Sequence, residues 1–149
     1  RVIQVSRIEP ARNTCDFINN EATNKEERIG KIVQVTVEVC NPGNPERRWE
    51  GLFLVDTGSI DCMVPANHLK SIGIEPRGKR TYELADGTEQ AMDVGVAQIE
   101  FMGECVGATV IFGKDEVEPI LGVTALESVG IEVDPQNKRL KRLPAVRLK

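Results

Sequence analysis

The segment Lys31 to Val39, KIVQVTVEV, places valine at positions 33, 35, 37 and 39 and sets Gln34, Thr36 and Glu38 between them. Alternation of β-branched and polar residues puts every valine on one face of a pleated strand, so the segment predicts a half-buried β-strand. Such a strand cannot bury its apolar face alone, and it needs a partner strand from elsewhere in the sequence. Residues 41–48, NPGNPERR, are turn chemistry, and WEGLFLVD (49–56) returns as a second strand. The pair reads as a hairpin whose far end carries Asp56.

The rest of the chain continues in the same vocabulary. Residues 79–101 read as another hairpin with Asp86-Gly87 at its tip, a dipeptide that tolerates positive φ. ECVGATVIF (104–112) is a strand, GKDEVE (113–118) a charged loop and PILG (119–122) a very short apolar strand. IEVD (131–134) and RLKRLPAVRL (139–148) supply the last strands. ANHLKSIGI (66–74) has room for one or two helical turns ending at Gly73, and VTALESVG (123–130) for a short helix closed by Gly130. Many short strands with turns between them predict an all-β domain with one or two short helices. There is an internal echo: an apolar strand ends in Asp56-Thr57-Gly58, and a later one in Ile120-Leu121-Gly122. Each is succeeded by a short helical segment and a Gly-Ile pair.

Residues 9–30 are rich in Asn, Glu and Lys and have neither helical nor strand periodicity, while RVIQVSRI (1–8) alternates loosely enough for a short strand. The chain therefore divides into an N-terminal extension or linker, 1–29, and a domain, 30–149. Beginning at Arg1 rather than Met, it reads as a fragment or processed form, and the extension as a self-processing propeptide or an anchor linker. A length of 149 residues, with 40% hydrophobic and 28% charged, suits one soluble domain. The net charge of -4 argues against nucleic acid as a partner. No apolar run approaches the roughly 20 residues of a membrane span, and no secretory signal opens the chain. Cys15, Cys40, Cys62 and Cys105 form no Cys-x-x-Cys pair, so neither zinc nor another metal or cofactor is expected. Without a secretory signal they read as reduced cysteines, and the expected compartment is the cytoplasm.

The chemistry concentrates in GLFLVDTGSIDCMVP (51–65). An apolar strand that delivers Asp-Thr-Gly onto a loop fixes a carboxylate at the floor of a cleft; the glycine lets the backbone turn and a ligand approach. One carboxylate alone is a poor hydrolytic catalyst. Two that share a proton divide the work: the ionised one takes a proton from water, and the protonated one polarises the scissile carbonyl.

FLVDTGSIDCMVP resembles the active-site segment of the aspartic proteases, in both the pepsin and the retropepsin branches. Asp56-Thr57-Gly58-Ser59 matches the catalytic loop, Val64-Pro65 stands where pepsin-like enzymes have Val-Pro, and PILGVTALESVGIEV (119–133) resembles the second family signature. The hairpin around Ala85-Asp86-Gly87 falls where the family has its flap. The match covers residues 30–145 and is nearest in pattern to small prokaryotic single-motif proteases of clan AA. The resemblance implies a retropepsin-like acid protease barrel with one lobe per chain. It implies an endopeptidase with Asp56 as catalytic residue, Thr57 bracing two loops across a dimer, Gly58 against the substrate backbone and Ser59 bonded to Asp56. Asp61, Ala85, Asp86, Gly87, Ile120, Leu121 and Gly122 become candidates for the substrate cleft. The chain carries a single Asp-Thr-Gly, so the second aspartate must come from another copy, and the partners expected are a homodimer and a peptide or protein substrate.

Each position also has a plainer reading. Asp56 would then be a strand-end turn residue, Asp61 a solvated loop residue, Cys62 and Met63 core or pocket wall, and His68 a surface helix residue. Trp49 and Tyr82 would pack on the sheet, Tyr82 with a lesser claim as a flap residue over substrate. The tail from Lys138 to Lys149, with six Lys or Arg, reads as a solvated amphipathic strand with Leu140 and Leu143 inward, or on the resemblance as dimer interface. For the whole chain the alternative is a catalytically silent dimerisation or peptide-binding module on the same fold. Phosphoryl transfer is set aside, because the second acid it needs two positions after Asp56 is Gly58.

Overall fold

The computed structural model describes residues 2–3, 33–146 and 148. The linker assigned to 9–30, and Cys15 within it, lie outside them. The four valines behave as their spacing requires: Val33, Val35, Val37 and Val39 are each at most 1% exposed. They belong to β2 (Gln34–Asn41) or directly precede it, and they pair the strand with β3 (Asn44–Asp56). On β3 the inward residues are Phe53 and Val55, with Trp49 packed against the same core. The turn between the two strands is shorter than expected. Only Pro42 and Gly43 form it, and Asn44–Arg48 are already strand. Pro45 fits there because the register shifts after Cys40, leaving residues 45–47 without a partner across β2.

The remaining elements run in chain order. After β4 (Cys62–Pro65) comes α1 (Ala66–Ser71), then β5 (Gly78–Glu83), β6 (Glu89–Phe101) and β7 (Glu104–Gly113). The short β8 (Ile120–Gly122) leads directly into α2 (Val123–Ser128), and β9 (Ile131–Asp134) with β10 (Arg139–Arg142) form a separate hairpin. Gly73 and Gly130, just past the two helices, have φ of 86° and 72°, so both stops fall where the glycines predicted them. The sharp turn from β6 to β7 uses Met102 and Gly103, with φ of 54° and 78°. Methionine carries no turn signal; Arg142 of β10 donates to its carbonyl oxygen at 2.7 Å and ion-pairs with Glu104 beside it.

The sheet runs β3, β2, β6, β7, β4, β8, and β8 pairs back onto β3, so the strands close into a barrel. The fold is therefore all-β with two short helices, one closed barrel from one chain. Closure removes the open edges that an apolar sheet would otherwise expose. Inside it lie Phe53, Val64, Leu69, Ile99, Phe101, Val110, Leu121, Leu126 and Ile131. At the same C-terminal end of β3, β1 (Val2–Ile3) pairs antiparallel with Val55 and Asp56.

Gly122 is the tightest point of this closure. A Cβ there would stand 2.6 Å from the backbone carbon and oxygen of Asp61 and 2.7 Å from the carbonyl of Ile60, so a backbone would have to move. We expect Gly122→Ala to lower the unfolding free energy by at least about 2 kcal/mol in urea titration. Gly107→Ala, whose added methyl meets nothing within 4 Å, should stay within about 0.5 kcal/mol of wild type.

Candidate active site

Asp56 is the last residue of β3, half-buried, and the Thr57-Gly58 turn after it is exposed. The turn folds back on the carboxylate: the Gly58 N–H donates to Asp56 Oδ1 at 2.9 Å, and the Ser59 N–H donates to the Asp56 carbonyl at 3.0 Å. Gly58 is not in the left-handed region. Its reason is proximity, since a Cβ would sit 3.3 Å from Asp56 Oδ1. Ser59 departs from the role the resemblance implied. Its hydroxyl donates to the backbone carbonyl of Asp61 at 3.0 Å and so fastens the loop to itself.

Below the loop lies the second apolar-Gly segment. Val55 stands opposite Leu121, and Asp56 opposite Gly122, in the parallel pairing of β3 with β8. The first amides of α2 cap the loop's carbonyls, Val123 N–H to Ser59 at 2.8 Å and Thr124 N–H to Ile60 at 3.3 Å. Leu121 is fully buried and Gly122 is buried under Asp61, so both support the loop from the core rather than line a cleft wall; Ile120 is half-buried. Cys62 is core as expected, 2% exposed, with its thiol pushed up to about 11 by burial.

Ala85, Asp86 and Gly87 are all exposed at the tip of the β5–β6 hairpin, with Gly87 at φ 89°. Asp86 Oδ1 accepts the Thr88 hydroxyl at 2.7 Å and the Thr88 N–H at 2.9 Å, and these bonds hold its carboxyl below the usual range. The hairpin reaches the loop through Asp61. That carboxylate is 8% exposed, and its Oδ2 accepts the Tyr82 hydroxyl at 2.6 Å and an Arg80 N–H at 3.0 Å. Asp61 is therefore not a solvated loop residue, and Tyr82 does more than pack on the sheet. The sequence gives no sign of Arg80 as a site residue. An Arg and a Tyr two apart share a strand face, but only the folded barrel shows that this face meets Asp61.

Other expectations resolve away from this loop. His68 is a half-buried residue whose ring stacks on Trp49, centroids 4.1 Å apart and planes 12° apart. In the basic tail, Leu140 packs on the core and Lys141 pairs with Glu132. Among the described residues one group has metal-ligand spacing: the side-chain atoms of Glu38, Cys40 and Glu100 lie within 4.8 Å of one another. Arg48 already supplies a cation there, ion-paired to Glu38 and to Glu100 at 3.3 Å. No helix among the described residues is long and apolar enough to cross a membrane.

Residues 33–125 match the protein family described as Aspartyl protease. No curated protein matches the chain. Among solved structures, the chain is similar to a retropepsin-like aspartic protease from Rickettsia conorii, with 20% identity and a TM-score of 0.49. That match covers 66% of this chain and 75% of the other. It is also similar to the foamy viral protease-reverse transcriptase in complex with an RNA/DNA hybrid, with 18% identity and a TM-score of 0.42. There the match covers 58% of this chain and 10% of the viral one.

Tyr82 is the only tyrosine, so alkaline absorbance titration reads it alone. Burial first, and the hydrogen bond to Asp61 second, push its phenol up to about 12. A phenol raised in the folded state adds stability below its unfolded value, and that stability is lost as pH rises through the folded one. We expect a folded midpoint near 12 that falls in Asp61→Asn, which removes the hydrogen bond and the charge but leaves the burial. A wild-type midpoint at the free-phenol value would contradict the Asp61–Tyr82 contact.

Proposed function

The chain belongs to the aspartyl protease family, and we propose that it is an endopeptidase whose catalytic residue is Asp56, acting in pairs across a homodimer. The observation that carries the reading is the placement of its single Asp-Thr-Gly. The triplet lies inside the family match and begins at the last residue of β3, directly against the second apolar-Gly segment. Thr57 and Gly58 face outward beside Ile60, which is 61% exposed. Thr57 also stands at the rim of a groove of about 310 Å³ lined by Val123, Leu126, Val133, Leu143 and Val146. We assign this apolar surface to the second copy, which agrees with an interface role for the tail.

In the proposed dimer the two Asp56 carboxylates approach each other across the two-fold axis. Like charges at that range cannot both ionise readily, so the pair holds one proton. The ionised partner removes a proton from water, and the protonated one donates to the peptide carbonyl as the tetrahedral centre forms. No covalent intermediate is needed. The substrate lies extended beneath the β5–β6 hairpin, with Ala85, Asp86 and Gly87 nearest it and Gly58 against its backbone. We assign the protein to the reducing cytoplasm, where Cys40, Cys62 and Cys105 would remain thiols.

The test is a peptide-library digest across pH 3–8, wild type against Asp56→Asn. We expect pepstatin-sensitive cleavage at acidic to mildly acidic pH, with a bell-shaped profile from the coupled pair. Asp56→Asn should lower it by about a thousandfold or more. Equal cleavage by the two proteins would overturn the reading and leave a silent binding module on this fold.

A further inference from the structure

Among the described residues Asp61 is the one buried charged or polar side chain. A carboxylate is taken out of water only where donors replace the hydration it loses. Neither donor to Oδ2 belongs to its own loop: Tyr82 at 2.6 Å and Arg80 at 3.0 Å both come from β5. That strand pairs with β6 alone, Gly78 opposite Val94 through to Glu83 opposite Glu89. Strand β6 joins the barrel only from Val94 onward, where it meets β7. Residues 78–94 thus form a two-stranded arm standing off the barrel, and such an arm is marginal by itself. Among the described residues, the side-chain hydrogen bonds that leave β5 for the barrel both end on Asp61. The other ion pair of β5, Lys79 with Asp93, stays inside the arm.

The far side of the contact is stiff. The Asp61 carbonyl accepts the Ser59 hydroxyl, and its backbone rests against Gly122 with no space between. We propose that Asp61 is a positioning residue: its carboxylate latches the β5–β6 arm onto the Asp56 loop and so sets how the arm stands over the substrate. The inference rests on the protease reading for its effect on substrate, and on structure alone for its effect on the arm. The phenol stays protonated across the working range, because burial and Asp61 hold it near 12, so Tyr82 remains a donor throughout. Asp61 would then shape binding without touching the peptide.

Hydrogen exchange of the full chain and peptide cleavage are measured together on wild type, Tyr82→Phe and the double variant Arg80→Met/Tyr82→Phe. Lys79→Met serves as a control within the arm. In Tyr82→Phe we expect the amides of residues 79–88 to exchange about tenfold faster, the order of a lost charge-assisted hydrogen bond. The double variant should exceed it, while β2 and Lys79→Met stay at wild-type rates. KM should rise about tenfold with kcat within about twofold, because the arm binds substrate and Asp56 does the chemistry. Arm exchange within about twofold of wild type in both latch variants overturns the latch, as does equal acceleration in β2. Faster arm exchange with KM unchanged overturns the positioning role. If wild type cleaves nothing, the protease reading fails, and the exchange result alone decides whether the latch exists.

Discussion

The parallel pairing of β3 with β8 is the constraint on which the rest depends. Leu54 lies opposite Ile120, Val55 opposite Leu121 and Asp56 opposite Gly122. These contacts join segments more than sixty residues apart, and they turn an apolar sheet into a closed barrel. They also decide where the carboxylate stands. A strand ending in aspartate has no fixed direction for that group until something holds the loop after it. Here β8 and the first amides of α2 hold it from below, and Gly122 leaves no room for the loop to settle elsewhere. The apolar run before Asp56 and the apolar run before Gly122 are halves of one device.

A loop fixed from below can be coupled from above. Asp61 lies five residues after Asp56, and its backbone is locked by the same Gly122 contact that closes the barrel. Its side chain turns the other way, to Arg80 and Tyr82. One residue therefore joins the rigid floor to the projecting arm. Burying a carboxylate costs several kcal/mol unless its donors are well placed, so this contact is specific in a way that apolar packing is not. The arm's own turn needs no such help, since Asp86 and Thr88 close it locally.

What the sequence made legible was local. The valines of β2, the Asp86-Gly87 tip and the stops at Gly73 and Gly130 each stem from a residue's own conformational preference or from period-two spacing. The echo between Asp56-Thr57-Gly58 and Ile120-Leu121-Gly122 hinted at the closing contact, but an echo does not say that the two segments pair. Other features depend on neighbours distant in the chain. Met102 accepts a positive φ beside an arginine from β10. His68 stacks on a tryptophan of β3. Pro45 enters a strand because a register shift removes the demand on its missing N–H. Asp61 belongs with them, because its donors come from β5, whereas the Ser59 hydroxyl turns to a carbonyl two residues on in its own loop.

The central claim is that two copies share one catalytic pair, and mixing tests it most directly. Wild type and Asp56→Asn are combined in equal amounts at fixed total protein, allowed to exchange subunits, and assayed for peptide cleavage. A shared pair predicts about one quarter of the wild-type rate, because only dimers with two aspartates turn over. A rate near one half would mean that each chain works alone, and would contradict the account.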